Sequence, residues 1–287
     1  MRIDLHTHTL ASDGLMDAAS LVAEAGSRGV GLLAVSDHDT TAGVDDALSA
    51  GKKAGVEVWP AVELSCDVEA GEVHVLGYFV DHRRNWFQVL LGRLREGRAD
   101  RAARMVGRLA ALGVPVTYER VVTLAAGGAL GRPHVARALV EAGHVRDTAE
   151  AFDRFIGRGG PAYAERLKLT PAQAIELIRA AGGLAVLAHP GWGTDDEMIR
   201  ELAGAGLDGV EVYYPDHSPY QVEHYRDLAV RLGLLMTGGT DFHGGAMATR
   251  VPVGSQYVPE AVVAPIREAA ARRHPQAEPP ALQLLTG

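Results

Sequence analysis

Short apolar runs alternate with amphipathic stretches along most of the chain. Candidate strands occupy residues 2–6, 31–37, 56–64, 73–80, 183–189, 208–214 and 234–241. Candidate helices occupy residues 17–28, 40–54, 171–181, 195–205, 219–232 and 259–273, and several begin with Asp, Thr or Pro and end in Gly. This alternation predicts right-handed βαβ units and a parallel sheet, and about seven units favour a barrel over a short open sheet.

One stretch interrupts the alternation. From about residue 86 to 165 the pattern is helical only, with helices predicted at 86–112, 117–125, 133–143 and 147–156. We therefore predict an α/β fold in which residues 1–92 and 166–287 form the barrel and residues 93–165 form a helical insertion that acts as a substrate-binding cap. The C-terminal segment PQAEPPALQLLTG is expected to be irregular.

Composition adds limits on location and ligand. The 287 residues include no apolar run near the ~18 needed to span a membrane, and the lone Cys66 excludes an intramolecular disulfide. A strand starting at residue 2 leaves no room for a signal peptide, so we expect a cytoplasmic protein with no membrane partner and no evident protein partner. The net charge is −8, yet residues 93–165 contain twelve Arg, no Lys and eight acidic residues, a local charge of +4. Such a segment can steer an anionic ligand.

Histidines and carboxylates recur where the predicted strands end. His6 and His8 lie two residues apart, and residues i and i+2 of a strand point to the same side. The other candidates are Asp13, His38, Glu63, His74, His189, Asp241 and His243. Each alone has an ordinary explanation as a turn, cap or core residue, but these explanations would have to hold independently at six strand ends. In a parallel barrel these ends meet on one face.

This mixture of ligands predicts a metal centre. Imidazoles with carboxylates suit Zn, Mn or Fe, whereas Ca or Mg would favour oxygen ligands alone. Nine candidates are too many for one ion, so we expect two to three divalent metal ions, with Mn favoured and Zn or Fe as alternatives. Asp37 and Asp39 are predicted to orient histidine ligands without binding the metal themselves.

The segments DLHTHTLASDG, AVSDHDT, VELSC, VHVLGY, LAHP and GGTDFH together resemble the PHP (polymerase and histidinol phosphatase) family of metal-dependent phosphoesterases. The resemblance implies a distorted (β/α)7 TIM-like barrel with three metal sites, in which Glu63 bridges. The implied ligand sets are His6, His8, Glu63 and Asp241 for the first metal, Asp13, His38 and His243 for the second, and Glu63, His74 and His189 for the third.

The insertion carries a candidate anion site, GRPHVARAL. Pro133 suits the first turn of a helix, whose free N–H groups favour a phosphate, and Arg132 and His134 stand beside it. From spacing alone, Arg132 and His134 could equally be residues at a helix start that bind no ligand. The segment resembles the branch of the family that includes nucleoside 3′,5′-bisphosphate phosphatases and RNase AM-like 5′→3′ exoribonucleases, which implies substrate binding. Arg98 and Arg101 are candidates for a second phosphate or a backbone, and Tyr163 for a base.

These observations predict an enzyme that hydrolyses phosphate esters of nucleotides, either nucleoside 3′,5′-bisphosphates or 5′-phosphorylated short oligonucleotides, by attack of a metal-bridging hydroxide. Arg132 and His134 would orient the phosphate. Three alternatives stay open: a histidinol-phosphatase-type small-molecule phosphatase, an amidohydrolase-like C–N hydrolase, and a nucleotide-binding module without turnover.

Overall fold

The structure, a computed structural model, describes residues 1–68, 71–165, 169–191, 194–244 and 251–280. Its strands are β1 (Arg2–Asp4), β2 (Val30–Val35), β3 (Glu57–Val68), β4 (Gly71–Tyr78), β5 (Leu184–Leu187), β6 (Gly209–Tyr213) and β7 (Leu235–Gly238). Its helices are α1 (Ala18–Ser27), α2 (Val44–Ala54), α3 (Asn85–Ala111), α4 (Tyr118–Leu124), α5 (Arg132–Glu141), α6 (Thr148–Ala151), α7 (Pro171–Ala180), α8 (Asp196–Gly204), α9 (Pro219–Leu232) and α10 (Val263–Ala271). A π-helical turn, Phe152–Ile156, continues α6, and a 3-10 turn, Glu260–Val262, leads into α10.

The seven strands form one sheet in chain order, β1 to β7. The α/β fold predicted from the alternation is confirmed, but the expectation of a wholly parallel sheet was wrong at β4, which pairs antiparallel with both β3 and β5. Only two residues separate β3 from β4. A parallel pair needs a crossover of a dozen or more residues, so these strands can only form a hairpin.

The first and last strands also come together. The Leu5 N–H donates to the Gly238 carbonyl at 3.1 Å, and the His8 N–H donates to the Phe242 carbonyl at 2.8 Å. These bonds join the segment after β1 to β7 and the segment that follows it. The two edges of the sheet therefore meet, as they do in a barrel, and the segments that carry His6, His8 and Asp241 are brought side by side.

Helix α3 contributes to two apolar cores, one against the sheet and one within the insertion. The first half of α3 contributes Phe87, Leu90 and Leu94 to the core between the sheet and α7 to α9. The second half contributes Met105 and Leu109 to a separate core, shared with α4, α5 and the π-helical turn. The sequence-based boundary at residue 93 thus falls within one continuous helix that packs on both parts.

The helical stretch and part of the C-terminal segment predicted from the sequence are found among the described residues. No strand interrupts the described residues between 85 and 165, as the helical pattern of that stretch indicated. Of the C-terminal segment, residues 275–280 have no regular structure, and 281–287 lie outside the described residues. No described helix is both long enough and apolar enough to cross a membrane.

Candidate metal centre

The candidate ligands converge on one end of the sheet. His6 and His8 follow β1, His38 follows β2, His189 follows β5, and Asp241 and His243 follow β7. Glu63 lies in the middle of β3, because that strand continues past the predicted end at residue 64 into the hairpin. His74 lies opposite Ser65 near the start of β4, and the start of an antiparallel strand lies beside the ends of its neighbours.

The first group surrounds the buried carboxylate of Glu63 and that of Asp241. Asp241 Oδ1 lies 3.3 Å from His6 Nε2 and 3.0 Å from His8 Nε2. Glu63 Oε1 lies 3.4 Å from His6 Nε2, and Glu63 Oε2 lies 3.2 Å from His8 Nε2. The four side chains place one donor atom each within 4.8 Å of one another, so they can hold one ion.

The second group lies around Asp13 on the loop after β1. Asp13 Oδ1 lies 3.3 Å from His243 Nε2, and Asp13 Oδ2 lies 3.8 Å from His38 Nε2. His8 joins this group, since its ring stacks on that of His243 with centroids 4.1 Å apart.

Glu63 also belongs to a third group. Its Oε1 lies 2.9 Å from His74 Nδ1 and 3.3 Å from His189 Nε2, and these two nitrogens are 3.3 Å apart. His38 Nδ1 lies 3.0 Å from Glu63 Oε2, so His38 stands between the second and third groups. Both oxygens of Glu63 therefore face several imidazoles, the arrangement required of a bridging carboxylate.

Several polar atoms of the cluster are buried without a hydrogen-bond partner. They are His6 Nε2, both ring nitrogens of His8, Asp13 Oδ1, His38 Nδ1 and Glu63 Oε2. Leaving a buried polar group unpaired costs about 1–3 kcal/mol, and such orphaned groups are rare in folded proteins. Their concentration at one point fits divalent metals, which would satisfy these lone pairs.

Burial and neighbouring charges shift the pKa values of several residues in the metal-free cluster. Burial alone would raise the pKa of Glu63, but His38, His74 and His6 hold that pKa well below its usual range. Burial opposes the charged form of His74, yet Glu63 and Glu72 raise its pKa to about 10. For His243, Asp13 and Asp241 likewise overcome burial and raise the pKa to about 10. Burial lowers the pKa of His38 to about 3.

Two candidate ligands have unusual backbone geometry. His189 has φ of 27° and Asp241 has φ of 52°, in the left-handed region that few residues other than Gly adopt. Such strain costs on the order of 1–3 kcal/mol and concentrates at functional sites.

Two contacts to these ligands were not anticipated from the sequence. Glu211, fully buried on β6, lies 3.1 Å from His6 Nδ1 and accepts the His189 N–H at 2.8 Å. The Tyr214 hydroxyl donates to Asp241 Oδ2 at 3.2 Å. The signal for Glu211 was a lone acidic residue within the apolar run GVEVYY.

Asp37 and Asp39, which were predicted to orient histidine ligands, accept hydrogen bonds from other groups. Asp37 accepts hydrogen bonds from the Thr9 N–H, the Thr9 hydroxyl and the Ser12 hydroxyl, so it fixes the loop that carries Asp13. Asp39 accepts from Arg98 Nε at 2.5 Å and from the Ser65 N–H at 3.2 Å.

The insertion places Arg132 and His134 at the start of α5, as predicted. The His134 Nδ1 accepts the Gly131 N–H at 3.0 Å, so the neutral ring carries its proton on Nε2, and burial lowers the His134 pKa. Arg132 Nη2 lies 3.2 Å from Glu72 Oε2. The Ala129 N–H donates to the Ala11 carbonyl, which ties the segment before α5 to the loop of Asp13.

Arg98, Arg101 and Tyr163 make contacts within the protein. Arg98 is buried and also donates from Nη2 to the Ser65 hydroxyl at 2.6 Å. Arg101 donates from Nε to the Ala164 carbonyl at 2.9 Å, and its guanidinium carbon lies 5.3 Å from the centre of the Tyr163 ring. All three therefore have structural partners where the sequence predicted substrate contacts.

A cavity of about 660 Å³ opens between the cluster and the insertion. The cluster contributes Asp13, Asp241 and His243 to its wall, and the insertion contributes Pro133, Arg137 and Phe152. Arg137 was not singled out from the sequence, although it lies in the same GRPHVARAL segment. Arg132 and His134 are not among the described residues that line this cavity.

Comparison with curated proteins identifies relatives over most of the chain. A 5′-3′ exoribonuclease of Haemophilus influenzae is 34% identical over 247 residues, which are 84% of this chain and 90% of the relative. A 3′,5′-nucleoside bisphosphate phosphatase of Chromobacterium violaceum is 32% identical over 247 residues, which are 84% of this chain and 87% of the relative.

A solved structure has the same fold. It is described as a metal-dependent phosphoesterase from Bifidobacterium adolescentis, and it superposes with a TM-score of 0.86 and 31% sequence identity over 93% of this chain and 96% of its own. The family model for the PHP domain matches residues 4–151. The cluster of histidines and carboxylates, the fold and these likenesses agree: the chain belongs to the PHP domain family.

Proposed function

We propose that this protein is a metal-dependent phosphoesterase that hydrolyses phosphate esters of nucleotides. The observation that carries the proposal is the cluster itself, in which buried donor atoms without hydrogen-bond partners face one another beside a cavity roofed by the insertion. The names of the two relatives, an exoribonuclease and a nucleoside bisphosphate phosphatase, support a nucleotide or a short oligonucleotide as the substrate.

The proposed ligands are the nine residues predicted from the sequence, arranged as three groups, of which the first and the third share Glu63. We propose two to three divalent ions, since mixed imidazole and carboxylate ligands suit Mn²⁺, Zn²⁺ or Fe²⁺, and Mn²⁺ is the ion we favour. When bound, such ions lower the pKa of water toward neutrality and offset negative charge on phosphoryl oxygens. No Ser or Cys nucleophile is needed for this chemistry.

The protein's own residues would bind and orient the substrate. The start of α5 presents the positive end of a helix dipole, which favours a phosphate. Arg132 would pair with phosphate oxygens through its fork, and His134 would donate its Nε2 proton to one of them. Since burial lowers the His134 pKa, this histidine acts as a neutral donor.

Arg137 adds a cationic side chain to the cavity, besides the proposed metals. Arg137 lines the same cavity as the cluster residues Asp13, Asp241 and His243. A substrate with an anionic group at each end would therefore meet the proposed metals at one end and Arg137 at the other. We assign residues 93–165 the role of a cap on these grounds, with residues 1–92 and 166–287 as the catalytic barrel.

A substrate panel tests this proposal. Mn²⁺-loaded protein is incubated with a nucleoside 3′,5′-bisphosphate, a 5′-phosphorylated oligonucleotide, histidinol phosphate, a hydantoin and a lactone, and kcat/KM is compared. We expect the two nucleotide substrates to be preferred and His8→Ala to abolish phosphate release with the fold intact by circular dichroism. Preference for histidinol phosphate would indicate the small-molecule phosphatase, and turnover of the hydantoin or lactone alone would indicate an amidohydrolase. Tight nucleotide binding without release would indicate a binding module.

A further inference from the structure

Glu72, the second residue of β4, is contacted by both parts of the molecule. From the sheet, His74 Nε2 lies 3.2 Å from Glu72 Oε1. From the insertion, Arg132 Nη2 lies 3.2 Å from Glu72 Oε2, and Arg101 Nη1 lies 3.7 Å from the same oxygen. One carboxylate therefore contacts a candidate metal ligand and two arginines of the insertion.

The contact with His74 determines which of its nitrogens can bind a metal. A carboxylate can only accept, so Glu72 takes the proton on Nε2, and the neutral ring that a metal requires would have its lone pair on Nδ1. Nδ1 is the atom that lies 2.9 Å from Glu63 Oε1 and 3.3 Å from His189 Nε2. Glu72 thus favours the form of His74 that would direct a lone pair to a metal in the third group of ligands.

The ion pair with Glu72 also restricts the position of the Arg132 guanidinium. Glu72 holds one terminal nitrogen of the guanidinium, while the Phe152 ring lies 5.4 Å from its central carbon. A guanidinium held at one nitrogen still has donors on its other edge for phosphate oxygens. The ion pair and the ring contact together restrict where the Arg132 guanidinium lies.

We propose that Glu72 is a positioning residue that couples metal retention at His74 to phosphate binding at Arg132. This inference rests on the proposed function, since it takes the third group as a metal site and Arg132 as a phosphate ligand. It predicts that the two properties fail together when the carboxylate is removed.

Two substitutions separate the two contacts. Glu72→Ala removes the partner of both His74 and Arg132. Glu72→Gln keeps an amide oxygen that can accept the His74 proton, but it removes the charge that holds Arg132 and adds an N–H₂ group that repels it. Asp67→Asn is the matched control, because Asp67 lies directly opposite Glu72 on β3 and makes no ion pair with His74 or Arg132 in the described structure.

The experiment measures binding of Mn²⁺ to full-length protein by isothermal titration calorimetry, and then binding of inorganic phosphate to the Mn²⁺-loaded protein. We expect Glu72→Ala to weaken one Mn²⁺ site by about 10- to 100-fold, the range for partners of metal ligands, and to weaken phosphate binding as well. Glu72→Gln should recover most of the Mn²⁺ affinity but not the phosphate affinity, and Asp67→Asn should match wild type in both.

Equal Mn²⁺ and phosphate affinities in Glu72→Ala and Asp67→Asn would overturn the proposal. Neither measurement requires turnover. A wild-type protein that binds both ligands but hydrolyses no phosphate ester would therefore contradict the proposed function. Unchanged Mn²⁺ and phosphate affinities in Glu72→Ala would instead contradict the role of Glu72.

Discussion

Glu211 Oε1 lies 3.1 Å from His6 Nδ1, and both side chains are fully buried. Because a carboxylate only accepts, Glu211 takes the Nδ1 proton of His6, which would leave the Nε2 lone pair, on the side of Glu63 and Asp241, for a metal. The other oxygen of Glu211 accepts the N–H of His189. One carboxylate on β6 thus orients candidate ligands that follow β1 and β5.

Replacing Glu211 with Gln should weaken metal binding by about 10- to 100-fold, the range found when a partner of a metal-bound histidine is removed. The amide has nearly the same shape, so the fold should survive and the change should appear as lost metal and lower kcat. Metal content after dialysis and steady-state kinetics measure it. The exposed Glu201→Gln is the control, and a Glu211→Gln protein with the metal content of that control would contradict the role assigned to Glu211.

Metal loading at pH 7 should release protons. In the metal-free chain, neighbouring carboxylates raise the pKa of His74 and of His243 to about 10, so both imidazoles are protonated at pH 7. A metal takes the neutral form, and its apparent affinity should rise with pH up to that value. His38, whose pKa burial lowers to about 3, should contribute no proton. Calorimetry of Mn²⁺ binding in two buffers of different ionisation enthalpy counts the protons, and equal heats in both buffers would refute the prediction.

Arg98→Lys should lower the free energy of unfolding. The guanidinium joins Asp39 at 2.5 Å and Ser65 at 2.6 Å, and a single ammonium cannot reproduce this fork. Breaking a buried charge pair costs about 3–5 kcal/mol, and partial retention by Lys places the expected loss at the lower end. Urea unfolding measures it, with the exposed Arg104→Lys as the control. A raised KM with unchanged stability would instead support the substrate contact that the sequence predicted for Arg98.

Arg137→Met should raise KM for a nucleoside 3′,5′-bisphosphate by roughly tenfold or more, because a charged hydrogen bond contributes about 1.5–3 kcal/mol. KM for a substrate with a single phosphate should change far less. Arg154→Met, which removes the same charge from an exposed position of the insertion, is the control. If both substrates weaken equally, Arg137 does not recognise the second anionic group.

The sequence predicted the candidate ligands because their signal is positional: polar residues recur where apolar strands end, and parallel strands end on one face. It did not reveal Glu72 or Glu211. Both lie within strands, where the pattern shows which residues share a face but not which distant side chain they meet. The same limit explains Asp37 and Asp39, which lie beside His38 yet bond Thr9, Ser12, Arg98 and Ser65.

The direction of β4 could have been predicted. The eight residues between the predicted strands 56–64 and 73–80 are already too few for a crossover between parallel strands. The partners of Arg98 and Arg132 could not have been predicted. The arginines of a helical segment cannot be distinguished by sequence, and only packing shows which of them are buried. Arg98 is 8% exposed, whereas the side chain of Arg146 is 85% exposed.

The cluster is proposed to act through divalent metals on phosphate esters. The most direct test is phosphate release from a nucleoside 3′,5′-bisphosphate by protein stripped with a chelator, before and after Mn²⁺ is restored, with Asp241→Ala measured in parallel. We predict no release by the stripped protein, recovery on adding Mn²⁺, and no recovery in Asp241→Ala. Undiminished release by the stripped wild-type protein would contradict the account.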